Sequence, residues 1–105
     1  MGILSLLGFG EKVIKEALRK GAVIIDVRTP AEFDRGHIPE SLNIPVDRVA
    51  SFAETIKAMN RLVIFCDDTG ARSSMAKQFL LAKGMRNGVY IGGSWERVLR
   101  ISRKL

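Results

Sequence analysis

The chain has 105 residues, of which 47% are apolar, and a formal net charge of +6. This length supports one compact α/β core and excludes two domains of ordinary size. With one cysteine and one histidine, the chain cannot form an internal disulfide and has too few soft ligands for a closed metal site, so we predict no cofactor, no metal and a reducing, cytoplasmic location.

The positive charge favours anionic partners. Basic residues are dispersed and aromatic residues make up only 7% of the chain, so nucleic acid is not an expected partner. The densest basic stretch falls on a predicted C-terminal helix, where we interpret it as a solvated face: Arg97, Arg100, Arg103 and Lys104.

Residues 1–10 form an apolar lead-in. This segment is far shorter than the roughly 18 residues that span a bilayer, and it has no basic n-region, so we expect neither a membrane span nor a signal peptide. We interpret it as a hydrophobic approach to the first helix, with loose membrane contact as the alternative.

The first predicted helix has an apolar stripe and ends at Gly21. Residues 22–27 are a continuous, β-branched apolar run, which is typical of a strand covered on both faces of a parallel sheet. Thr29, Pro30 and Glu32 stand in capping-box order and predict a short helix before Gly36.

The second half alternates in the same way. Residues 41–45 predict a brief strand, residues 46–59 a helix, and residues 62–65 a second buried strand. A loop from Cys66 to Ser73 then precedes a helix over residues 74–83.

The last predicted strand covers residues 89–91, and a final helix follows from Trp95. Alternating strands and helices predict an α/β fold, with a central parallel sheet of four to five strands flanked by helices on both faces. We place the single domain at residues 11–105.

Cys66 is the candidate catalytic residue. It follows a buried strand, and ligands of open parallel sheets bind at the carboxyl ends of the strands. The N–H groups of a tight loop that enters a helix favour an anion or a thiolate. Gly70 would let this loop curl, and Arg72 offers planar donors to an oxyanion or to loop carbonyls.

Three segments resemble the rhodanese family. Residues 26–45 are similar to its first signature, residues 66–73 to its active-site loop, and Gly92, Gly93 and Trp95 to its closing segment. The resemblance covers nearly the whole chain from about residue 11.

The resemblance implies a thiosulfate sulfurtransferase of the single-domain type. Cys66 would take the outer sulfur of a small anionic donor as a persulfide and pass it to a thiol, cyanide or a protein acceptor. The resemblance assigns Asp26, Arg28 and Glu32 to the first strand-to-helix turn and gives His37 a structural role. Substrate binding would fall to six loop residues, whose N–H groups would hold the persulfide charge: Asp67, Asp68, Thr69, Gly70, Ala71 and Arg72.

The loop departs from the family pattern Cys-x-x-Gly-x-Arg, because one residue more separates Cys66 from Gly70. If Cys66 is aligned with the nucleophile, the loop has the length seen in rhodanese-fold phosphatases and arsenate reductases. If Gly70 and Arg72 are aligned instead, Asp67 takes the nucleophile's place, as in catalytically silent members that act as binding modules. The sequence leaves both alignments open.

Two acidic residues also distinguish this loop. Asp67 and Asp68 outweigh Arg72 by one formal charge, while a helix N-terminus contributes only about half a positive charge. Unless both carboxylates point outward, we expect a small anion to bind poorly and a protein-borne or neutral sulfur carrier to be favoured. Glu40 is a second departure, since glycine is common at that place in the family.

Overall fold

The structure is a computed structural model that describes the backbone from Gly2 to Leu105 and the side chains from Gly10 onward. Four parallel strands form the sheet of this described part, in the order β2-β1-β3-β4. The strands are β1 (Val23–Asp26), β2 (Leu42–Asn43), β3 (Val63–Asp67) and β4 (Val89–Ser94). The helices are α1 (Gly2–Arg19), α2 (Pro30–Asp34), α3 (Ala53–Ala58), α4 (Ala71–Ala82) and α5 (Trp95–Ser102). The predicted α/β fold with a central parallel sheet is therefore confirmed.

Alternate residues of β3 face opposite sides of the sheet. Val63 and Phe65 pack into a cluster that contains Ala76 and Leu80 of α4. Ile64 and Cys66 pack into a second cluster, which contains Ile14 of α1 and Val98 of α5. Because successive side chains of a strand point to opposite faces, the residue after Cys66 returns to the α4 side.

The end of β3 corrects the predicted boundary between strand and loop. The strand was expected to stop at Phe65, but it continues through Cys66 and Asp67. Parallel pairing carries it this far, because Cys66 lies beside Asp26 and its carbonyl accepts a hydrogen bond from the Val27 N–H at 2.9 Å. The loop therefore begins after Asp67.

The last strand is also longer than predicted. β4 includes the Gly92-Gly93-Ser94 segment that was expected to end it, and an irregularity in the pairing follows Phe65. Glycine is required at Gly92, because a Cβ there would lie 2.7 Å from Val98 Cγ2 and 2.9 Å from the Phe65 carbonyl oxygen.

The predicted helix over residues 46–59 is wrong in its first half. Two 3₁₀ turns, Val46–Arg48 and Ala50–Phe52, precede the short helix α3. Val46 and Val49 are three residues apart, and a 3₁₀ turn places residues at this spacing on one side.

Helix α1 begins earlier than predicted. Its backbone runs from Gly2, so the segment interpreted as a lead-in continues the helix. The side chains of residues 1–9 lie outside the described residues, and the proposed membrane contact therefore stays a prediction. Within the described chain, no helix combines the length and the apolarity needed to cross a bilayer.

Glu40 retains the backbone conformation for which glycine is usual. Its φ is 70°, which lies in the left-handed region that non-glycine residues adopt at an energetic cost. The departure from glycine therefore places a non-glycine residue in a left-handed turn before β2.

Candidate functional site

The N–H groups of Gly70, Arg72 and Ser73 point to one position, which we call the cradle, and the side chain of Asp67 occupies it. Its Oδ1 accepts hydrogen bonds from the Gly70 N–H at 2.6 Å and from the Ser73 hydroxyl at 3.0 Å. Its Oδ2 accepts from the Arg72 N–H at 2.7 Å and from the Ser73 N–H at 3.2 Å. Asp67 and Ser73 are fully buried. The inward N–H groups predicted for this loop are present, and a carboxylate of the same chain holds them.

The same carboxylate caps helix α4. Gly70 immediately precedes the helix with φ 99° and has no side chain with which to cap it. Asp67 satisfies the N–H groups of Arg72 and Ser73 in the first turn, which have no acceptor within the helix. A negative charge at this position also complements the helix dipole.

Cys66 lies on the opposite side of the sheet from this cradle. Its side chain is fully buried between β3 and helices α1 and α5. Burial raises the pKa of the Cys66 thiol, and the carboxylate of Asp26 raises it further, although Arg28 partly opposes this effect. The thiol therefore lacks both the access and the thiolate fraction that a nucleophilic cysteine needs in this conformation.

Arg72 is neutralised by two carboxylates. Its guanidinium contacts Glu32 through two hydrogen bonds, at 2.8 and 3.1 Å, and it pairs with Asp68 at 3.0 Å. These contacts raise the pKa of Arg72, chiefly through Glu32. Two carboxylates, those of Glu32 and Asp68, thus pair with one guanidinium, so this side chain offers an incoming small anion little attraction.

Glu32 connects the first strand-to-helix turn with the loop. Its backbone and side chain complete the predicted capping box with Thr29, at 3.2 and 2.9 Å, and the same carboxylate reaches Arg72. Hydrogen bonds from Arg72 and Thr29 lower the pKa of Glu32 from 4.5 to about 2.

We expect this carboxylate to make stability depend on pH. The pKa of Glu32 is lower in the folded chain than in the unfolded chain. Its contribution to the free energy of unfolding is therefore complete above about pH 4.5 and is lost as the pH falls toward 2. Glu32→Gln should therefore lower the thermal unfolding midpoint at pH 7 and have a smaller effect near pH 2, as measured by circular dichroism.

Glu54→Gln is the matched control, because the Glu54 side chain is 84% exposed and contacts Lys57 at 3.4 Å. A difference between wild type and Glu32→Gln that stays constant from pH 7 to pH 2 would show that the Glu32 charge does not stabilise the fold.

The predicted site residues divide into three groups. Asp67, Gly70 and Arg72 meet at the cradle, and Cys66 does not. The remaining three are exposed and form what we call the rim of the loop: Asp68, Thr69 and Ala71. Within the rim, the Thr69 hydroxyl accepts a hydrogen bond from the Ala71 N–H at 3.4 Å.

Ser73 and the pairing of Glu32 with Arg72 were not predicted. Ser73 could have been found from its place three residues after the N-cap glycine, in the first turn of the helix, where N–H groups have no acceptor within the helix. The Glu32 contact spans 40 residues, and no local pattern indicates it.

Side chains of the first strand-to-helix turn bond to one another and to the segment that follows, and their structural role stays a prediction. Arg28 and Asp26 form a buried ion pair at 2.8 Å, and Arg28 also donates to the Gly36 carbonyl at 2.7 Å and stacks on Trp95. His37 stacks on Phe33, and its Nδ1 lies 2.7 Å from the Phe33 carbonyl oxygen. Among the described side chains, no group of three or more potential ligands converges on a metal position.

Comparisons with known proteins agree with this architecture. Residues 11–100 match the family described as "Rhodanese-like domain". Over 82 residues the chain is 33% identical to thiosulfate sulfurtransferase GlpE of Pseudomonas syringae pv. syringae, covering 77% of this chain and 76% of that protein. It is 32% identical over 78 residues to a sulfurtransferase of Allochromatium vinosum, covering 71% and 72%.

A solved structure shows the same fold. The human single-domain sulfurtransferase TSTD1 superimposes with a TM-score of 0.65 at 26% identity, covering 85% of this chain and 91% of that one. The match extends over most of both chains. The chain therefore belongs to the rhodanese-like domain family, several of whose members similar to it are named sulfurtransferases.

Proposed function

We propose that this chain is a catalytically silent rhodanese-like module that acts by binding. The observation that carries the proposal is the Asp67 carboxylate, which accepts four hydrogen bonds inside the cradle. The run Asp67-x-x-Gly70-x-Arg72 follows the family's Cys-x-x-Gly-x-Arg spacing, with aspartate in place of the nucleophile.

The exposed rim of the loop is the binding surface under this proposal. Asp68, Thr69 and Ala71 are accessible there, and the carboxylates around Arg72 make the rim acidic. A neutral or basic surface of a protein partner suits it better than a small oxyanion does. The C-terminal basic stripe is a weaker candidate, because Arg97 is bonded to the Gly92 carbonyl and Lys104 to Glu11. We keep the cytoplasmic location as part of the proposal.

Sulfur transfer through Cys66 is the second candidate, which the named sulfurtransferase relatives favour. In that reaction the Cys66 thiolate would attack the outer sulfur of thiosulfate, forming an S–S bond while sulfite leaves with the electrons of the broken bond. A thiol, cyanide or protein acceptor would then take the sulfur. The reaction requires a conformation that brings the buried Cys66 sulfur to the surface.

An enlarged phosphatase-type or arsenate-reductase-type cradle receives no support from the geometry. Such a site needs the Cys66 sulfur at the focus of the loop amides. The amides of Gly70, Arg72 and Ser73 converge on Asp67 instead.

Intact-mass measurement after incubation with thiosulfate separates the two candidates. We expect no mass gain for the native protein, together with slow alkylation by iodoacetamide. After unfolding in urea, alkylation should be fast, which shows that the thiol itself is intact.

Cys66→Ser serves as the control for this measurement. A gain of one sulfur atom in the native protein that is absent from Cys66→Ser would establish the second candidate and overturn the first. Rapid alkylation of native Cys66 would also contradict the silent module, because it requires an accessible thiolate.

A further inference from the structure

A cavity of about 790 Å³ lies at the opposite end of the sheet from the loop. Val23, the first residue of β1, lines it. Parallel pairing places Val23 beside Val63, at the start of β3, and Asp26 beside Cys66, near its end. The length of the paired strands therefore lies between the cavity and the loop. No loop residue from Asp67 to Arg72 lines the cavity. A ligand in the cavity would therefore not contact the candidate site.

The floor of this cavity is apolar. Ala22, Val23 and Ile38 line it and are each at least 92% buried, and Leu42 forms part of the wall at 39% exposure. The volume lies within the range of about 300–1,000 Å³ that is typical of small-molecule sites, which are mostly apolar with a few placed polar groups. A ligand with an apolar body therefore suits the floor.

The rim of the cavity carries two arginines and one glutamate. Arg61 donates to the carbonyl oxygens of Gly21 at 2.9 Å and Ala22 at 3.3 Å, which fixes its guanidinium at the rim. Arg103 and Glu40 are exposed lining residues. Among the described side chains, neither arginine forms an ion pair with a carboxylate. Their charges therefore remain available to an anionic group, and they exceed that of Glu40.

Left-handed backbone conformations occur around the same cavity, at an energetic cost at Glu40 and without unusual strain at Asn60, which follows the end of α3. Glu40 and Asn60, with φ of 70° and 54°, are the non-glycine residues of the described chain that have positive φ. Glu40 lines the cavity, and Asn60 lies between Met59 and Arg61, which also line it. A strained conformation such as that of Glu40 persists where the surrounding structure holds it, and such conformations are concentrated at binding and catalytic sites.

We propose that this cavity binds a single-chain amphipathic anion, with its hydrocarbon chain on the apolar floor and its carboxylate at Arg61 and Arg103. Burial of the chain provides a driving force that increases with each methylene group. The arginines provide charge-assisted hydrogen bonds that select an anionic head group. The inference is independent of the function proposed for the loop.

Isothermal titration of the full chain with sodium decanoate, below the concentration at which it aggregates, tests the proposal. We expect saturable binding at one site. Acetate has the head group without the chain, and decyltrimethylammonium has the chain with the opposite charge. Each should bind at least about tenfold more weakly. Absence of saturable decanoate binding, or equal binding of decyltrimethylammonium, would overturn the proposal.

Arg103→Glu and Arg100→Glu form a matched pair of variants. Both arginines are exposed on or directly after α5, three residues apart, but only Arg103 lines the cavity. Arg103→Glu should weaken decanoate binding at least about tenfold, while Arg100→Glu should change it by less than about twofold. Equal weakening by both variants would indicate general charge attraction to this basic chain and contradict a defined site.

Leu42→Glu tests the apolar wall separately from the arginines of the rim. Leu42 is already partly exposed, so the fold should tolerate the change, while a carboxylate in the wall should repel the anion.

Backbone amide NMR shifts on adding decanoate to wild type should concentrate around Ile38, Leu42 and Arg103. Shifts concentrated at the loop instead would place the ligand elsewhere and refute the assignment.

Discussion

Moving the thiol by one residue is expected to create a thiosulfate sulfurtransferase. In the variant Cys66→Ala/Asp67→Cys, the new sulfur occupies the position of the Asp67 carboxylate, where the amides of Gly70, Arg72 and Ser73 converge. These donors, together with the N-terminus of α4, favour a thiolate and then the charge of a persulfide. Preorganised donors of this kind are typically worth about 10²–10³ in rate each.

Asp67 is as fully buried as Cys66, so thiosulfate must reach the shorter cysteine side chain through the exposed rim of the loop. The expected result is a gain of one sulfur atom on the new cysteine after incubation with thiosulfate. Formation of thiocyanate from thiosulfate and cyanide should be at least about a hundredfold faster than for wild type. The acidic residues near the cradle oppose anion binding, so adding Asp68→Ser should increase the rate further.

Cys66→Ala alone is the matched control, because it removes the buried thiol and leaves Asp67 in the cradle. It should be as inactive as wild type. A moved-thiol variant with a native circular dichroism spectrum that neither gains sulfur nor forms thiocyanate would contradict a cradle competent for sulfur transfer. In that case aspartate at position 67 would not be what keeps the loop silent.

The order of helices and strands is readable from local patterns. Continuous β-branched runs indicate buried parallel strands, and the capping box at Thr29 and Glu32 indicates the start of α2. Each of these signals is confined to neighbouring residues, and each is confirmed in the structure. The sequence therefore predicts the α/β class and the sheet, although boundaries at Cys66 and Gly92 are misplaced by two or three residues.

The sequence could not show on which face of the sheet Cys66 lies, and the reason is physical. Successive side chains of a strand alternate between the two faces of the sheet. An error of one residue in the alignment therefore places every side chain on the wrong face. The run from Val63 to Cys66 is apolar at every position, because β3 is covered on both sides, so it contains no alternation that reveals the register. Only the packing of α4 on the Phe65 side decides that Asp67, and not Cys66, faces the cradle.

The charge of the site was predicted in part. The acidic loop was recognised, together with the condition that both carboxylates point outward if an anion is to bind. Asp68 does point outward, whereas Asp67 points inward and is fully buried. The contact of Glu32 with Arg72 joins segments that are distant in the chain, and the energetics of such a pair depend on tertiary structure.

Asp67→Ala is expected to destabilise the fold by about 1–3 kcal/mol, a substantial part of the roughly 5–15 kcal/mol that is typical of a domain. The change removes the acceptor for the N–H groups of Gly70, Arg72 and Ser73 and for the Ser73 hydroxyl. The donors on the buried side would lose their partner without gaining water, which is more costly than losing an exposed hydrogen bond. Urea unfolding, followed by the fluorescence of Trp95, measures the change in the free energy of unfolding.

The neighbouring aspartate provides the comparison that makes this measurement decisive. Asp68 has the same charge and lies one residue away, but its side chain is 57% exposed and pairs with Arg72 at the surface. Asp68→Ala should therefore cost at most about 1 kcal/mol. If the two variants lose the same stability, the Asp67 carboxylate is not the acceptor that organises the loop. If Asp67→Ala alone is strongly destabilised, the cradle depends on an internal anion, and an external one would have to displace it before binding.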